Sequence, residues 1–366
     1  MNLDGVPAVT EPSEQRLNAK QLLDYREQRE EFLSWLLAFG KDPMRGAGYS
    51  RATVRRTAYR TDQFNRWVWT DEGQYTMSIS HDHADEYMRE LAYGEQSNTH
   101  KANTQKSLKR FFKWQSHERG GEEWDPSQSF STSGSNNPRD YLTVEERQEI
   151  REAALDYGSI PAYGNLSPDE RDRWKTHLAQ RFGKPKSEVV PEDWEKANGW
   201  KYTSMTWASL DAGLRPVEVE RAKTTWVDVE NQVLRIPKEE SSKNAENWIV
   251  GVTERTAKAL ERWLEERELY DQYEGTDALW LTREGNPYQT ASLRDLLKRL
   301  CSIAGIPTEN RQMSWYAIRH SVGTYMTREE DLAAAQAQLR HRSEQTTMKY
   351  DQTPVEDRRD ALDRMG

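Results

Sequence analysis

Three short segments of this chain place ionisable side chains where a turn or a half-buried helix would present them. In the first, Ala212-Gly213-Leu214-Arg215-Pro216-Val217-Glu218, an arginine stands between a helix-ending glycine and a helix-starting proline. That position puts its guanidinium near helix N-terminal amides, which attract phosphate, unless Glu218 simply neutralises it. In the second, Tyr316-Ala317-Ile318-Arg319-His320, Arg319 has Trp315, Ile318 and Val322 as apolar neighbours. A buried arginine there needs an acid or an anionic ligand as its partner. The third runs from Leu339-Arg340-His341 through Thr347-Met348-Lys349-Tyr350 and sets His341 nine residues before Tyr350, across a polar turn.

Together and in this order, the three segments closely resemble the tyrosine recombinase family of phage integrases and Xer-type recombinases. The family's first arginine box is similar to Gly213-Leu214-Arg215-Pro216-Val217-Glu218, including the Glu three after the Arg. Its second box, His-x-x-Arg followed by His, resembles Tyr316-Ala317-Ile318-Arg319-His320, with Tyr316 where the family usually has His. Its terminal box, Leu-Gly-His through Thr-x-x-Tyr, resembles Leu339-Arg340-His341 through Tyr350. Arg340 replaces the usual Gly and is expected to leave the chemistry untouched. The family also has a catalytic lysine in a β-hairpin turn. Lys243 resembles it best, because Ser242-Lys243-Asn244 precedes a strand at 248–252; Lys238 matches better when counted from Arg215. The likeness covers about 142–352, and more weakly 18–117.

The resemblance implies a catalytic set of Arg215, Lys243, Tyr316, Arg319, His341 and Tyr350, with no cofactor and no metal. Attack of a tyrosine on a phosphodiester adds negative charge to the nonbridging oxygens, which preorganised cations stabilise. Arg215 and Arg319 would clamp that phosphate bidentately. A free tyrosine, pKa near 10, is ionised about one time in a thousand at pH 7, which costs about 4 kcal/mol. The guanidinium pair and a hydrogen bond from His341 would offset part of this. Lys243 would protonate the departing 5′ oxygen, and the covalent 3′-phosphotyrosine would conserve the bond energy, so resealing needs no ATP. Tyr316 can donate a hydrogen bond to phosphate but is a poor base. Double-stranded DNA is the implied partner, handled by a homo-tetramer on two duplexes that is a monomer or dimer off DNA. A catalytically impaired DNA-binding protein on the same fold and a type IB-like topoisomerase are the competing readings.

The elements that must position these groups are mainly helical. Apolar stripes predict helices over 18–39, 50–69, 80–91 and 103–117, with Ser50 as an N-cap. They form a helical core DNA-binding domain over 18–120, preceded by a flexible N-terminus at 1–17. Arg55, Arg56, Lys106, Lys109, Arg110 and Lys113 are its candidate DNA contacts. Residues 121–140, rich in Gly, Ser, Asn and Pro, read as a linker. A catalytic domain over 141–366 opens with a Thr143-x-x-Glu146 capping box. It continues with helices at 200–212, 253–267, 292–305, 315–326 and 332–339. Short β-type runs at 226–229, 233–236 and 248–252 predict a small antiparallel sheet. The fold class is thus mainly α with a small antiparallel β-sheet: a helical core-binding domain plus an α+β catalytic domain, which the resemblance suggests close into a C-shaped clamp. The polar stretch 156–199 is an excursion, with a short helix at 168–182.

Composition narrows the setting. The 366 residues contain one cysteine, Cys301, which rules out an intrachain disulfide framework and points to the cytoplasm. No apolar run reaches the roughly 20 residues of a membrane span. Asp and Glu number 61 against 52 Lys and Arg, a net charge of -9, and Arg outnumbers Lys about two to one. A DNA-binding chain is usually basic. An acidic, Arg-rich chain of low hydropathy fits a salt-loving, archaeal host. At about 1 M salt the Debye length is about 3 Å, so contact-range arginine pairs must carry the attraction to phosphate.

Overall fold

Apolar residues at three- and four-residue spacing build the first half of the chain from helices: α1 (Glu11–Glu14), α2 (Ala19–Ala38), α3 (Arg51–Asp71), α4 (His81–Tyr93) and α5 (Asn98–Arg119). The computed structural model describes residues 3, 5–130, 140–241, 246–350 and 355–365, and its backbone divides into two units, Met1–Asn137 and Pro138–Gly366. In the first unit Phe32 from α2 meets Phe111 and Trp114 from α5 at ring centroid distances of 5.4 and 5.3 Å. Edge-on and tilted rings at such distances add to the burial energy of the core. Asn18 and Ser80 cap α2 and α4 through their side chains, whereas Ser50 precedes α3 without accepting a backbone N–H.

The stretch read as a flexible N-terminus makes buried contacts with the rest of the unit. Thr10 and Ser13 donate to the buried Asp62 carboxylate at 2.6 and 2.9 Å, and Tyr25 donates to its other oxygen at 3.0 Å. A carboxylate in the core without donors would be heavily penalised, and this segment supplies two of them. The expected linker also begins as part of the unit: Trp124 is buried in its core and donates to Asp85 at 3.3 Å. Residues 131–139 of that stretch lie outside the described residues.

The second unit comprises α6 (Val144–Asp156), α7 (Pro168–Phe182), α8 (Pro191–Lys196), α9 (Trp200–Ala212), α10 (Pro216–Arg221), α11 (Glu254–Arg267), α12 (Thr290–Ile303), α13 (Trp315–Glu329), α14 (Leu332–Gln338), α15 (Glu344–Thr347) and α16 (Val355–Met365). Between α10 and α11 lie β1 (Val227–Asp228), β2 (Val233–Ile236) and β3 (Trp248–Gly251), an antiparallel sheet in the order β1-β2-β3. Leu234 pairs with Val227 and Val250, so the apolar face of the sheet turns onto the core shared with α9, α11 and α12. Thr143 and Glu146 make the reciprocal capping box at the start of α6, at 3.0 and 3.1 Å. Helices α9 and α13 are buried on most faces and form the centre of the unit. The excursion 156–199 has its own small core, built on Trp174, Leu178, Val189 and Trp194. Among the described residues no helix is long and apolar enough to cross a membrane.

Replacing Asp62 by Ala strands the hydroxyls of Thr10, Ser13 and Tyr25. The expected loss is about 2–4 kcal/mol, read as a lower urea midpoint. Trypsin should then cut at Arg16 before α2 unfolds; a variant as resistant as wild type would contradict the anchoring.

Candidate active site

The site begins where α9 ends. Gly213 takes a left-handed backbone (φ +57°) and donates its N–H to Ser209 at 2.9 Å, closing the helix. The last carbonyls of α9 then lack helical partners. Ala212 O accepts from Arg340 Nη1 at 2.7 Å, and Gly213 O accepts from Arg319 Nη1 at 2.6 Å and Arg340 Nη2 at 3.2 Å. At the end of α14 the carbonyl of Leu339 accepts from Arg319 Nη2 and, at 3.4 Å, from Arg215 Nη2. Two helix C-termini, the negative ends of their dipoles, thus gather three guanidinium groups.

One carboxylate stands among them. Glu218, on the first turn of α10, accepts from the Arg215 N–H at 2.8 Å, Arg215 Nη1 at 2.6 Å and Arg340 Nη2 at 2.7 Å. Burial alone would raise this acid, but Arg340 and Arg215 outweigh it and hold the carboxyl down to about 2. Burial, and then the repulsion of Arg340 and Arg215, push the Arg319 guanidinium down to about 9. Among the described residues, three cations against one anion leave an excess of two positive charges in a largely buried cluster.

Arg340 departs from the sequence-based expectation. The N–H of Arg340 donates to Ala337 O and that of His341 to Gln336 O, both at 3.0 Å, the paired bonds of a Schellman helix ending. Arg340 occupies the left-handed position of that motif (φ +56°), where glycine fits without strain and another residue gives up roughly 1–2 kcal/mol. Its side chain, 1% exposed, turns inward to Glu218 instead of to solvent. The residue expected to leave the chemistry untouched belongs to the charged cluster.

The aromatic side of the site is built on α13 and the segment after α15. Tyr350 is 6% exposed and packs with Val322 and Leu339. Gly323 makes room for it: a methyl there would lie 2.8 Å from the Tyr350 ring. His341 stacks on that ring, with centroids 6.0 Å apart and planes 6° from parallel. Its Nε2 faces an N–H of Arg319 at 2.9 Å and its Nδ1 meets Thr347 Oγ1 at 2.9 Å. An arginine can only donate, so Nε2 accepts and the ring carries its proton on Nδ1. Burial, and then the charge of Arg319, push His341 down to about 3, so it is neutral near pH 7. The expected hydrogen bond from His341 to the tyrosine is absent from this arrangement; the Tyr350 hydroxyl instead meets His320 Nδ1 at 3.0 Å. His320 stands in the second box as the His that follows the Arg, but it was given no place among the site residues; that position, one helical turn from Tyr316 on the same face, was the available signal. Tyr316 is 40% exposed, its ring 6.1 Å from that of His320.

The structure therefore brings together Arg215, Arg319, His341 and Tyr350, with Tyr316 at the margin. Lys243 lies outside the described residues. Lys238 is exposed on the turn after β2, its N–H donating to Asn247 at 2.8 Å. In the first unit Arg55, Arg56, Lys106 and Lys109 are exposed. Arg110 reaches from α5 to Thr57 of α3 at 3.2 Å and lies 4.7 Å over the Tyr49 ring, while Lys113 donates to Gly40 O at 3.3 Å. Arg60 joins this group: burial, and then Arg56 and Arg110 close by, lower its guanidinium. Its four-residue spacing from Arg56 was the sequence signal for a continuous basic face.

Residues 190–356 match the phage integrase family, a span that contains Arg215, Arg319, His341 and Tyr350. Among solved structures, the XerH site-specific recombinase bound to palindromic difH substrate, a post-cleavage complex, superposes with a TM-score of 0.58 at 17% identity, covering 98% of this chain and 90% of that one. The Tn1549 transposon integrase in complex with transposon right end DNA gives 0.54 at 15% identity, over 91% and 99% of the two chains. A lambda integrase dimer bound to a COC' core site gives 0.51 at 14%, over 87% and 76%. At these identities the likeness is one of fold, and the fold is that of the tyrosine recombinases: mainly helical, with a three-stranded antiparallel sheet. No curated protein matches the chain.

The charges of the cluster predict a pH dependence. Glu218, folded value about 2 against 4.5 unfolded, contributes stability that is present above pH 4.5 and lost as pH falls toward 2. His341 acts in the same direction from pH 6.5 downward, because the unfolded chain takes up a proton that the folded one refuses. Glu218→Gln leaves Arg340 and Arg215 without a counter-charge and should destabilise by about 3–5 kcal/mol near neutrality. The difference in thermal midpoint from wild type should shrink below pH 4.5; a difference independent of pH there would contradict the pairing.

Proposed function

We propose that this protein is a tyrosine-type site-specific recombinase or integrase, which cuts and rejoins double-stranded DNA through a 3′-phosphotyrosine on Tyr350. The observation that carries this reading is the buried excess, among the described residues, of two guanidinium charges beside a phenol. Buried charge is tolerated when it is paired, and Glu218 pairs with only part of it. A phosphodiester supplies the missing anion, and its transition state, more negative still, gains more. The three solved structures of similar fold named above are DNA complexes of recombinases and integrases, which supports DNA as the partner.

In this reading Arg215 and Arg319 bind the nonbridging oxygens, and Tyr316 donates to one of them from the margin of the site. His341 serves as a neutral ring that orients Arg319 through Nε2 and backs the nucleophile by stacking. Lys243, with Lys238 as the alternative, protonates the leaving 5′ oxygen. The basic face of Arg55, Arg56, Arg60, Lys106, Lys109, Arg110 and Lys113 holds the duplex backbone. The working assembly is a tetramer on two duplexes. A DNA-binding protein without chemistry is the second reading, motivated by Tyr316 in place of the family's usual His.

A nicked suicide duplex carrying a site selected by the protein from random sequence separates the two. Wild type should form a covalent adduct, Tyr350→Phe none, and Arg319→Ala should cleave about 10²–10³-fold more slowly. A wild type that binds the site without forming an adduct would establish the non-catalytic reading. An adduct surviving Tyr350→Phe would remove Tyr350 as the nucleophile.

A further inference from the structure

We infer that His320 is the catalytic base of this site, the group that takes the proton from the Tyr350 hydroxyl. The inference rests on the reading of Tyr350 as nucleophile and adds the proton acceptor that this reading leaves unassigned. His320 Nδ1 lies 3.0 Å from the Tyr350 hydroxyl, and both side chains are buried. A phenol is a far stronger acid than a neutral imidazole N–H, so the hydroxyl donates and Nδ1 accepts. An imidazole is also the side chain whose ordinary pKa suits proton transfer near neutrality.

The other groups around the phenol are occupied or chemically unsuited. His341 accepts from Arg319 at Nε2 and meets Thr347 at Nδ1, and its ring lies flat against that of Tyr350, so neither nitrogen is aimed at the hydroxyl. Lys349, whose Nζ is 5.3 Å from the ring centroid, is a donor with no acceptor in its charged form. Tyr316 is a phenol itself, and Glu218 is held by two arginines. His320 follows Arg319 directly on α13, so one rigid helix carries both the phosphate clamp and the proton acceptor. The resembling family has one imidazole three residues before the arginine and another directly after it; here Tyr316 holds the first place, and His320, a helical turn further along the same face, is the imidazole that remains.

The step balances without an added reactant. The Tyr350 proton moves to His320 Nδ1 as the phenol oxygen bonds to phosphorus. The bond from phosphorus to the 5′ oxygen breaks, and that oxygen keeps the electron pair and takes a proton from the lysine. On resealing, the 5′ hydroxyl returns its proton to the lysine as its oxygen bonds to phosphorus, and the phenol oxygen departs with the electron pair and takes back the proton held by His320.

The test uses the full chain and the nicked duplex described above. His320→Ala should bind that duplex as wild type does and cleave it about 10²–10⁴-fold more slowly, with added imidazole restoring rate. In His320→Gln, incorporating 3-fluorotyrosine at position 350 should restore more rate than it does in an otherwise wild-type chain, because a more acidic phenol depends less on a base. Cleavage by His320→Gln at the wild-type rate would overturn the inference. So would slow variants that respond neither to imidazole nor to the fluorinated phenol, which would mark His320 as packing. The failure of the parent reading looks different: wild type itself would form no adduct, and both would fall together.

Discussion

Three arginines confined with a single carboxylate form the constraint around which this unit is arranged. A guanidinium removed from water needs acceptors on its N–H groups as well as opposite charge nearby. The acceptors are the carbonyls left over where α9 and α14 stop, and the charge is Glu218. Neither helix could run on for another turn without consuming those carbonyls. Gly213 ends the first, and the left-handed Arg340 ends the second and becomes one of the cations itself. The left-handed backbone that ends α14 and the lowered carboxyl of Glu218 meet at one ion pair, that of Arg340 with Glu218.

This arrangement separates two jobs that sequence position alone would merge. His341, close to Tyr350 in the chain, serves the cation cluster: its Nε2 accepts from Arg319, and burial, followed by the neighbouring positive charge, keeps the ring neutral. His320, thirty residues from Tyr350 in the chain, holds its hydroxyl. In the proposed reaction a ring kept neutral by burial and by nearby cations stacks on the phenol without competing for the phosphate, and the proposed base, one residue beyond Arg319, takes the proton without entering the cluster.

Much of the scaffold could be read from the sequence, because local rules govern it. The helix 200–212 ends at Gly213 as its residues imply, and the strands at 233–236 and 248–252 fall within a residue of β2 and β3. The capping box at Thr143 is a contact over three residues and needs no tertiary information. Arg215, Arg319 and Tyr350 carry recognisable neighbours, so they too were visible. What escaped depends on groups far apart in sequence. The burial of Arg340 follows from Glu218, 122 positions away. The ordering of residues 5–17 follows from a single buried aspartate in α3. The contact between His320 and the Tyr350 hydroxyl joins residues thirty positions apart, and no local rule at either position encodes it.

Leu339 gives the site its dimensional tolerance. Its two methyl groups lie between two glycines from separate parts of the chain: added side chains at Gly213 and Gly323 would come within 2.7 and 2.8 Å of them, and the Tyr350 ring lies equally close to the second. The leucine therefore acts as a spacer gauge, setting how near the first arginine turn, the long central helix and the tyrosine segment come to one another. Hydrogen bonds can stretch by tenths of an ångström and survive, whereas carbon atoms at contact distance cannot be pressed closer. One residue thus serves the site twice: its side chain fills the space that the two glycines leave, and its carbonyl accepts from Arg319 and Arg215.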